Sequence, residues 1–276
     1  VRPRAETVIV AGKSARAYWS DLWRYRELFG FLAWRDIAVR YKQTAIGAAW
    51  AILRPLLTLV VFTVVFSVIA RLPAPAGVPY AVLVLAGLLP WQFVSAAMSE
   101  AANSLVDNER IISKVYFPRL IIPGASAMVA IADGLVSLVL LAGLFGWYGF
   151  WPDWRFITLP AWFAFAFLAA IGPGLLLAAL NVKYRDVRYA IPFLLQVGLY
   201  ISPVGYSSAL VPAQWRTVYF LNPFAGVIDG FRWALLGGAF EPDWRGVALS
   251  AGVCVALLVV GIRYFRATER YFADLI

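Results

Sequence analysis

FITLPAWFAFAFLAAIGPGLLLAALNV, residues 156–182, contains no Asp, Glu, Lys or Arg, and KYRDVR follows it directly at residues 183–188. A bilayer core about 30 Å thick is crossed by roughly 20 apolar residues in helix. The stretch is long enough, and a basic cluster at its end is what holds a span on the cytoplasmic side. Similar charge-free stretches cover residues 72–99, 189–215 and 246–262. Two weaker ones cover residues 55–70 and 120–152, the latter interrupted by Asp133. The 55–70 stretch reaches spanning length when residues 47–53 join it and Arg54 snorkels to the inner surface. The expected fold is therefore all-α and integral to the membrane, with six transmembrane helices.

The basic residues order these spans. Residues 1–54 hold ten of the 24 Lys and Arg, and residues 101–119, 183–188 and 263–276 hold three each. The alternate gaps hold only Arg71, Arg155, Arg216, Arg232 and Arg245. Basic loops stay inside, so both termini are expected in the cytoplasm of a multi-pass inner-membrane protein. The net charge of +9 is mainly this topology signal. No separate basic domain is present for nucleic acid to bind. Residues 1–43 carry no apolar core of a secretory signal, so none is expected there.

Composition also narrows the chemistry. The chain is 62% hydrophobic and 14% charged, where a soluble domain has about a quarter of its residues charged. It has no His, which removes imidazole acid–base work and His metal ligands. No paired Asp/Glu motif occurs, so no metal and no catalytic residue are expected. Gly12-Lys13-Ser14 looks like the end of a phosphate-binding loop, but the required earlier glycine falls on Thr7. ATP binding by that motif is rejected. The lone Cys254, inside the last stretch, reads as a core residue.

Residues 1–46 read as a cytoplasmic N-terminal segment and residues 47–276 as a single six-span domain. Within the first, Tyr18, Leu22, Tyr25, Phe29 and Leu32 recur at helical steps, the pattern of an amphipathic helix lying in the membrane interface. Residues 33–46 continue it with denser charge. Asp36 and Arg40, spaced i,i+4, favour helix. Segments 33–46, 101–119 and 183–188 all lie inside, and they either form a docking surface or only anchor topology.

Outside, residues 204–245 are aromatic and split by Asn222-Pro223. They are too apolar for a solvated loop and too broken for a span. A re-entrant helical hairpin between spans five and six fits, provided its backbone is buried in protein. Phe-x-Pro-Asp-Trp-Arg occurs at residues 150–155 and again at 240–245. Asp153 and Asp243 are placed to cap the helices that follow, with Trp154 and Trp244 at headgroup depth.

Three features stand apart as candidates. Asp133 is an intramembrane acid, costing roughly 2.5–3.5 kcal/mol if charged at mid-span. It reads either as a gating or packing contact or as a capping partner within the bundle. Gly172-Pro173-Gly174 reads either as a hinge or as a static bend. Tyr200, Tyr206, Trp215, Tyr219, Phe224, Phe231 and Trp233 could rim a conduit for sugar polymer, against the alternative of an ordinary aromatic belt.

With these motifs in place, the chain resembles ABC-type polysaccharide export permeases, the family that moves O-antigen, teichoic acid and capsule. Arg40-Tyr41-Lys42 with Gly47, Trp50 and Pro55 is similar to the approach to their first span. Residues 108–119, Asn-Glu-Arg-Ile-Ile-Ser-Lys-Val-Tyr-Phe-Pro-Arg, are similar to their gate segment. Arg185-Asp186, Pro192, Gln196 and Ser202-Pro203 resemble the turn and fifth span, and Asn222-Pro223 and Arg232 the outer hairpin. The resemblance implies a homodimeric channel-forming subunit without catalysis of its own. It implies two separate ATP-binding cassette subunits, which hold the ATP and Mg, and an undecaprenyl-diphosphate-linked polysaccharide as cargo. It implies contact with those ATPase subunits at Trp34, Arg35, Asp36, Arg40, Tyr41, Lys42, Tyr184, Arg185 and Asp186. It implies a cytoplasmic gate at Asn108, Arg110, Lys114, Phe117, Pro118 and Arg119, whose cations attract a lipid diphosphate. A permease of the same fold exporting drugs or lipids is the nearest alternative. A polyprenyl-phosphate sugar transferase would need clustered acids, and an ion-coupled transporter more intramembrane acids or an inverted repeat.

Overall fold

The computed structural model describes residues 15–42, 47–115 and 117–272. The expectations for residues 1–14, 43–46, Tyr116 and 273–276 lie outside the described residues. The described residues form helices and connecting turns, with no strand among them.

Two helices precede the first span, α1 (Ala15–Arg24) and α2 (Arg26–Lys42). The first span is α3 (Gly47–Thr63), continued by a π-helical turn over Val64–Ile69. It starts at Gly47, where the added residues were needed. Next come α4 (Tyr80–Asp107), the single-turn α5 (Glu109–Ile112), α6 (Ile121–Ala127) and α7 (Val129–Tyr148). Then follow α8 (Leu159–Lys183), α9 (Val187–Ile201), the pair α10 (Ala213–Tyr219) and α11 (Pro223–Leu236), and α12 (Trp244–Thr268).

Five of these segments are long and apolar enough to cross a membrane: Ile52–Ile69, Tyr80–Asp107, Ile121–Tyr148, Trp154–Lys183 and Trp244–Tyr271. The remaining stretch folds as α9, only 15 residues long. At 1.5 Å per residue that is about 22 Å, short of the hydrocarbon thickness. Ser202-Pro203 ends it, since proline cannot continue the ladder and the residue before it is pushed to extended backbone; Ser202 sits at φ −94°, ψ 153°.

Helix α4 is the axis of the bundle. Val82, Leu83, Val84, Leu85 and Ala86 are buried in unbroken succession, as in a helix surrounded on all sides. It packs against α3, α6, α7, α8, α9 and α11. Helix α8 is continuous through Gly172-Pro173-Gly174. The two glycines also have a packing use. A Cβ on Gly172 would lie 2.8 Å from the backbone nitrogen of Leu258, and one on Gly174 would lie 2.9 Å from the Cβ of Ala101. Small residues therefore let α8 approach α12 on one side and α4 on the other.

The N-terminal stripe is used differently from the interface reading. Leu22, Tyr25, Leu28 and Phe29 pack against the protein core and Leu32 is buried in it. The rings turned outward are Trp19, Trp23, Phe31 and Trp34. A stripe with three- and four-residue spacing fits a protein groove as well as a bilayer, and α6 supplies the groove here.

Candidate functional site at the two membrane faces

Helix α2 carries two chemically distinct faces. Leu32, Ala33, Asp36 and Arg40 share the inner one, as their spacing dictates. Asp36 and Arg40 do not pair with each other. The guanidinium of Arg35 donates to Asp36 Oδ1 at 2.7 Å and to Asn108 Oδ1 at 2.7 Å. Ser126 of α6 donates to Asp36 Oδ2 at 2.9 Å. One turn on, Arg40 Nη1 meets Glu100 of α4 at 2.7 Å and Nη2 meets Asp133 of α7 at 2.8 Å. The Tyr41 hydroxyl donates to Asp133 Oδ1 at 2.6 Å. Burial, then the Asp133 carboxylate, pushes the Tyr41 phenol up to about 12. Asp133 lies in the second turn of α7. A guanidinium and a phenol supply the donors its charge needs.

The residues expected to dock an ATPase are therefore divided. Arg35, Asp36, Arg40 and Tyr41 hold α2 onto the bundle. Trp34, at 71% exposure, and Lys42 face away from it. Tyr184, Arg185 and Asp186, in the turn between α8 and α9, are exposed as well. That turn is fastened beside them, where Arg188 meets Asp107 at 3.3 Å.

The 108–119 segment is divided in a similar way. Phe117 and Pro118 are buried. The backbone nitrogen of Arg119 donates to Glu269 Oε1 at 2.8 Å, and its guanidinium donates to the Glu269 carbonyl. Tyr18 of α1 donates to the same carboxylate at 2.9 Å, with the Arg266 guanidinium 4.6 Å above its ring. Burial pushes the Tyr18 hydroxyl far above the usual phenol range, and Glu269 adds to this. Three cations were expected to gather for a diphosphate. Arg119 is tied to Glu269, while Arg110 and Lys114 remain exposed, with no ion pair among the described residues.

The turn after α9, on the side expected to be outer, is built around a buried guanidinium. Arg232 of α11 has no exposed surface. It donates to the carbonyls of Tyr206 at 2.7 Å and Val204 at 2.9 Å. Asp229, one turn earlier and also fully buried, accepts from Ser208 at 2.5 Å. Asn222 caps α11 by accepting from the Phe224 nitrogen at 3.0 Å, and its amide donates to Ser202 at 2.9 Å. The Tyr80 hydroxyl donates to the Gly205 carbonyl at 2.6 Å. Of the seven aromatic residues expected at a rim, Tyr200 and Trp215 are exposed, at 61% and 58%. Tyr219 donates to the Tyr206 hydroxyl at 3.1 Å. Phe224 leans edge-on against Trp91 at 5.7 Å. Phe231 is fully buried against Phe163, its ring 4.9 Å away, and so lies in the core.

Trp233 is the meeting point of the repeated motif. Trp154 and Trp244 both stand edge-on to it, at 6.4 and 5.2 Å. Asp153 and Asp243 cap as their spacing implies, each accepting from the nitrogen two residues on, at 2.9 and 3.1 Å.

Sequence reasoning missed Glu100, Asp229 and Glu269. Asp229 carried a signal, an acid three residues before an Arg in an otherwise apolar helix. Glu100 carried none beyond lying at the end of an apolar stretch, and Glu269 carried none.

A family model described as ABC-2 type transporter matches residues 27–236. The O-antigen export system permease protein RfbA of Myxococcus xanthus is 28% identical over 256 residues, 92% of this chain and 97% of that protein. A protein of the same name from Klebsiella pneumoniae is 25% identical over 243 residues, 88% and 92% of the two chains. The polysialic acid transport protein KpsM of Escherichia coli is 22% identical over 240 residues, 85% and 91%.

Proposed function

This chain belongs to the ABC-2 type transporter family, and on that premise we propose that it is the membrane subunit of an ATP-driven polysaccharide exporter. The observation that carries this reading is the near end-to-end similarity to permeases named for O-antigen export, which takes in both the inner and the outer face. The cargo is a polymer on an undecaprenyl-diphosphate-type lipid, moved outward from the cytoplasmic leaflet. Two copies form the channel, and each rests on one ATP-binding cassette subunit that supplies ATP hydrolysis.

In this reading α9 completes a sixth crossing by continuing through the turn at residues 202–206, and α10 and α11 form a re-entrant outer hairpin. Both termini are cytoplasmic, and Trp19 and Trp23 rest at headgroup depth. Trp34, Lys42, Tyr184, Arg185 and Asp186 present a surface that an ATPase can grip. Arg110 and Lys114 offer free cations to a diphosphate. Tyr200, Tyr206 and Trp215 give the polymer flat faces that tolerate sliding.

The test is reconstitution. The chain is purified with the ATPase encoded beside it and placed in liposomes with lipid-linked polymer. ATP-dependent appearance of polymer on the far side is expected. ATP hydrolysis by the chain alone, or no association with any ATPase, would refute the reading.

A further inference from the structure

We propose that Arg40 is a positioning residue for transport: its one guanidinium holds spans two and three together at their cytoplasmic ends and releases them when α2 moves. The proposal rests on the exporter reading above, but its structural half can be measured without cargo.

The geometry is a fork. Nη1 takes Glu100 of α4 and Nη2 takes Asp133 of α7, at 2.7 and 2.8 Å. The planar guanidinium bridges the two acids with two nitrogens held at a fixed spacing. No other Lys or Arg among the described residues pairs with either acid. The Tyr41 hydroxyl, next to Arg40 on the same helix, donates to Asp133 at 2.6 Å, so a movement of α2 withdraws both donors together. Glu100 then faces the like charges of Asp133 and Asp107. The two helix ends attract one another through the cation and repel without it. That gives one element two arrangements, which is what conformational coupling requires.

Helix α2 is built to move that cation. It is a continuous helix of 17 residues. Its exposed Trp34 lies on the side away from the bundle, while Leu32 and Ala33 are buried. Force applied at the outer side is carried to Arg40 along one rigid rod. Beside it lies a cleft of about 450 Å³ whose walls include Arg35, Arg40, Glu100 and Asp107. Water reaches all three members of the fork, whose side chains are 40%, 40% and 23% exposed. Such a contact can break and re-form within a cycle.

The experiment uses the complex with its ATPase in liposomes. Nitroxide labels are placed on cysteines introduced at Ser99 and Ile131 to report the separation of α4 and α7. Arg40→Met is expected to assemble and to lengthen the label distance without nucleotide. Its ATP turnover should stay within roughly twofold of wild type while polymer exported per ATP falls by about tenfold or more. Adding Glu100→Gln and Asp133→Asn should restore the short distance without restoring export. Arg40→Lys, which keeps the charge but has a single nitrogen on a flexible stem, should fall between. An unchanged label distance in Arg40→Met, or export and ATP turnover declining in proportion, would overturn the proposal. Should Arg40→Met fail to accumulate, wild-type export per ATP in Arg40→Lys would overturn it instead. If the wild-type complex exports nothing, the exporter reading fails, and the label distance still decides what Arg40 holds.

Discussion

The guanidinium of Arg232 donates to the carbonyl of Tyr206 at 2.7 Å from a side chain with no exposed surface. A buried charge is tolerated where backbone carbonyls and an acid surround it. Here the carbonyls belong to the irregular turn that follows α9, and the acid is Asp229. An irregular backbone at membrane depth needs its polar groups satisfied from within the protein. Arg232 and Tyr80 do this for the turn at residues 202–206, while Asn222 holds the Ser202 hydroxyl.

Arg232→Met should therefore be severely destabilising, by about 3–5 kcal/mol, the usual cost of leaving a buried partner charge uncompensated. Arg232→Lys should recover only part, because an ammonium cannot reach two carbonyls in the same plane. Thermal unfolding in detergent reads the loss. Limited proteolysis should locate the first cleavage between α9 and α10. A Met variant as stable as wild type would show that the turn is held by packing alone.

Asp229 gives the same site a pH signature. Burial pushes its carboxyl up to about 6, against the pull of Arg232 and Ser208. A carboxyl with a higher pKa in the folded state binds its proton more tightly when folded. Its contribution is complete below the unfolded value near 3.9, falls as pH rises to about 6, and is flat above that. The stability difference between wild type and Asp229→Asn, followed by thermal unfolding, should move against wild type over that window and then level. A difference that does not vary with pH would mean that the carboxylate is ionised throughout.

Much of this architecture was legible because the bilayer imposes lengths and a charge bias. The start of α3 at Gly47 and the caps at Asp153 and Asp243 follow from residues a few positions apart. The fifth stretch is free of charge over residues 189–215, but its helix ends at Ser202-Pro203, a stop signal that charge alone does not report. The site was harder to read for a different reason. Arg40 meets Glu100 and Asp133 across three helices, and no local period reports which inward-facing cation finds which acid. The apolar stripe of α1 and α2 has the same ambiguity: its spacing fixes one buried face but not whether lipid or protein covers it.

The helix-packing notch makes a steric prediction. A Cβ on Gly261 would lie 2.2 Å from the Gly172 carbonyl oxygen, which is backbone and cannot swing aside. Gly261→Leu should force α12 away from α8 and cost about 1–3 kcal/mol or more. Gly252→Ala, on the same helix with open space around it, serves as the control. Apparent melting temperature in detergent should drop for the first and hold or rise slightly for the second, since alanine favours helix. Equal behaviour of the two would remove the close approach as a stabilising feature.

The divided faces of α2 and the 183–188 turn make the last prediction. Arg185 and Asp186 are exposed and make no ion pair among the described residues. Replacing both with Ala should leave the fold intact, because solvated surface positions change stability by about half a kcal/mol or less. On the proposed reading the double variant, alone or with Trp34→Ala, should lose binding to the ATPase subunit by about tenfold or more, since each rim charge or anchoring ring contributes on the order of 1 kcal/mol. Co-purification and ATP-turnover titrations measure this directly. Arg35→Gln is the contrasting case. It faces Asp36 and Asn108 inside the chain, so it should lower the melting temperature while leaving affinity for the ATPase close to wild type. If the two classes of variant exchange outcomes, the inner face of α2 is the docking surface and the exposed turn is not.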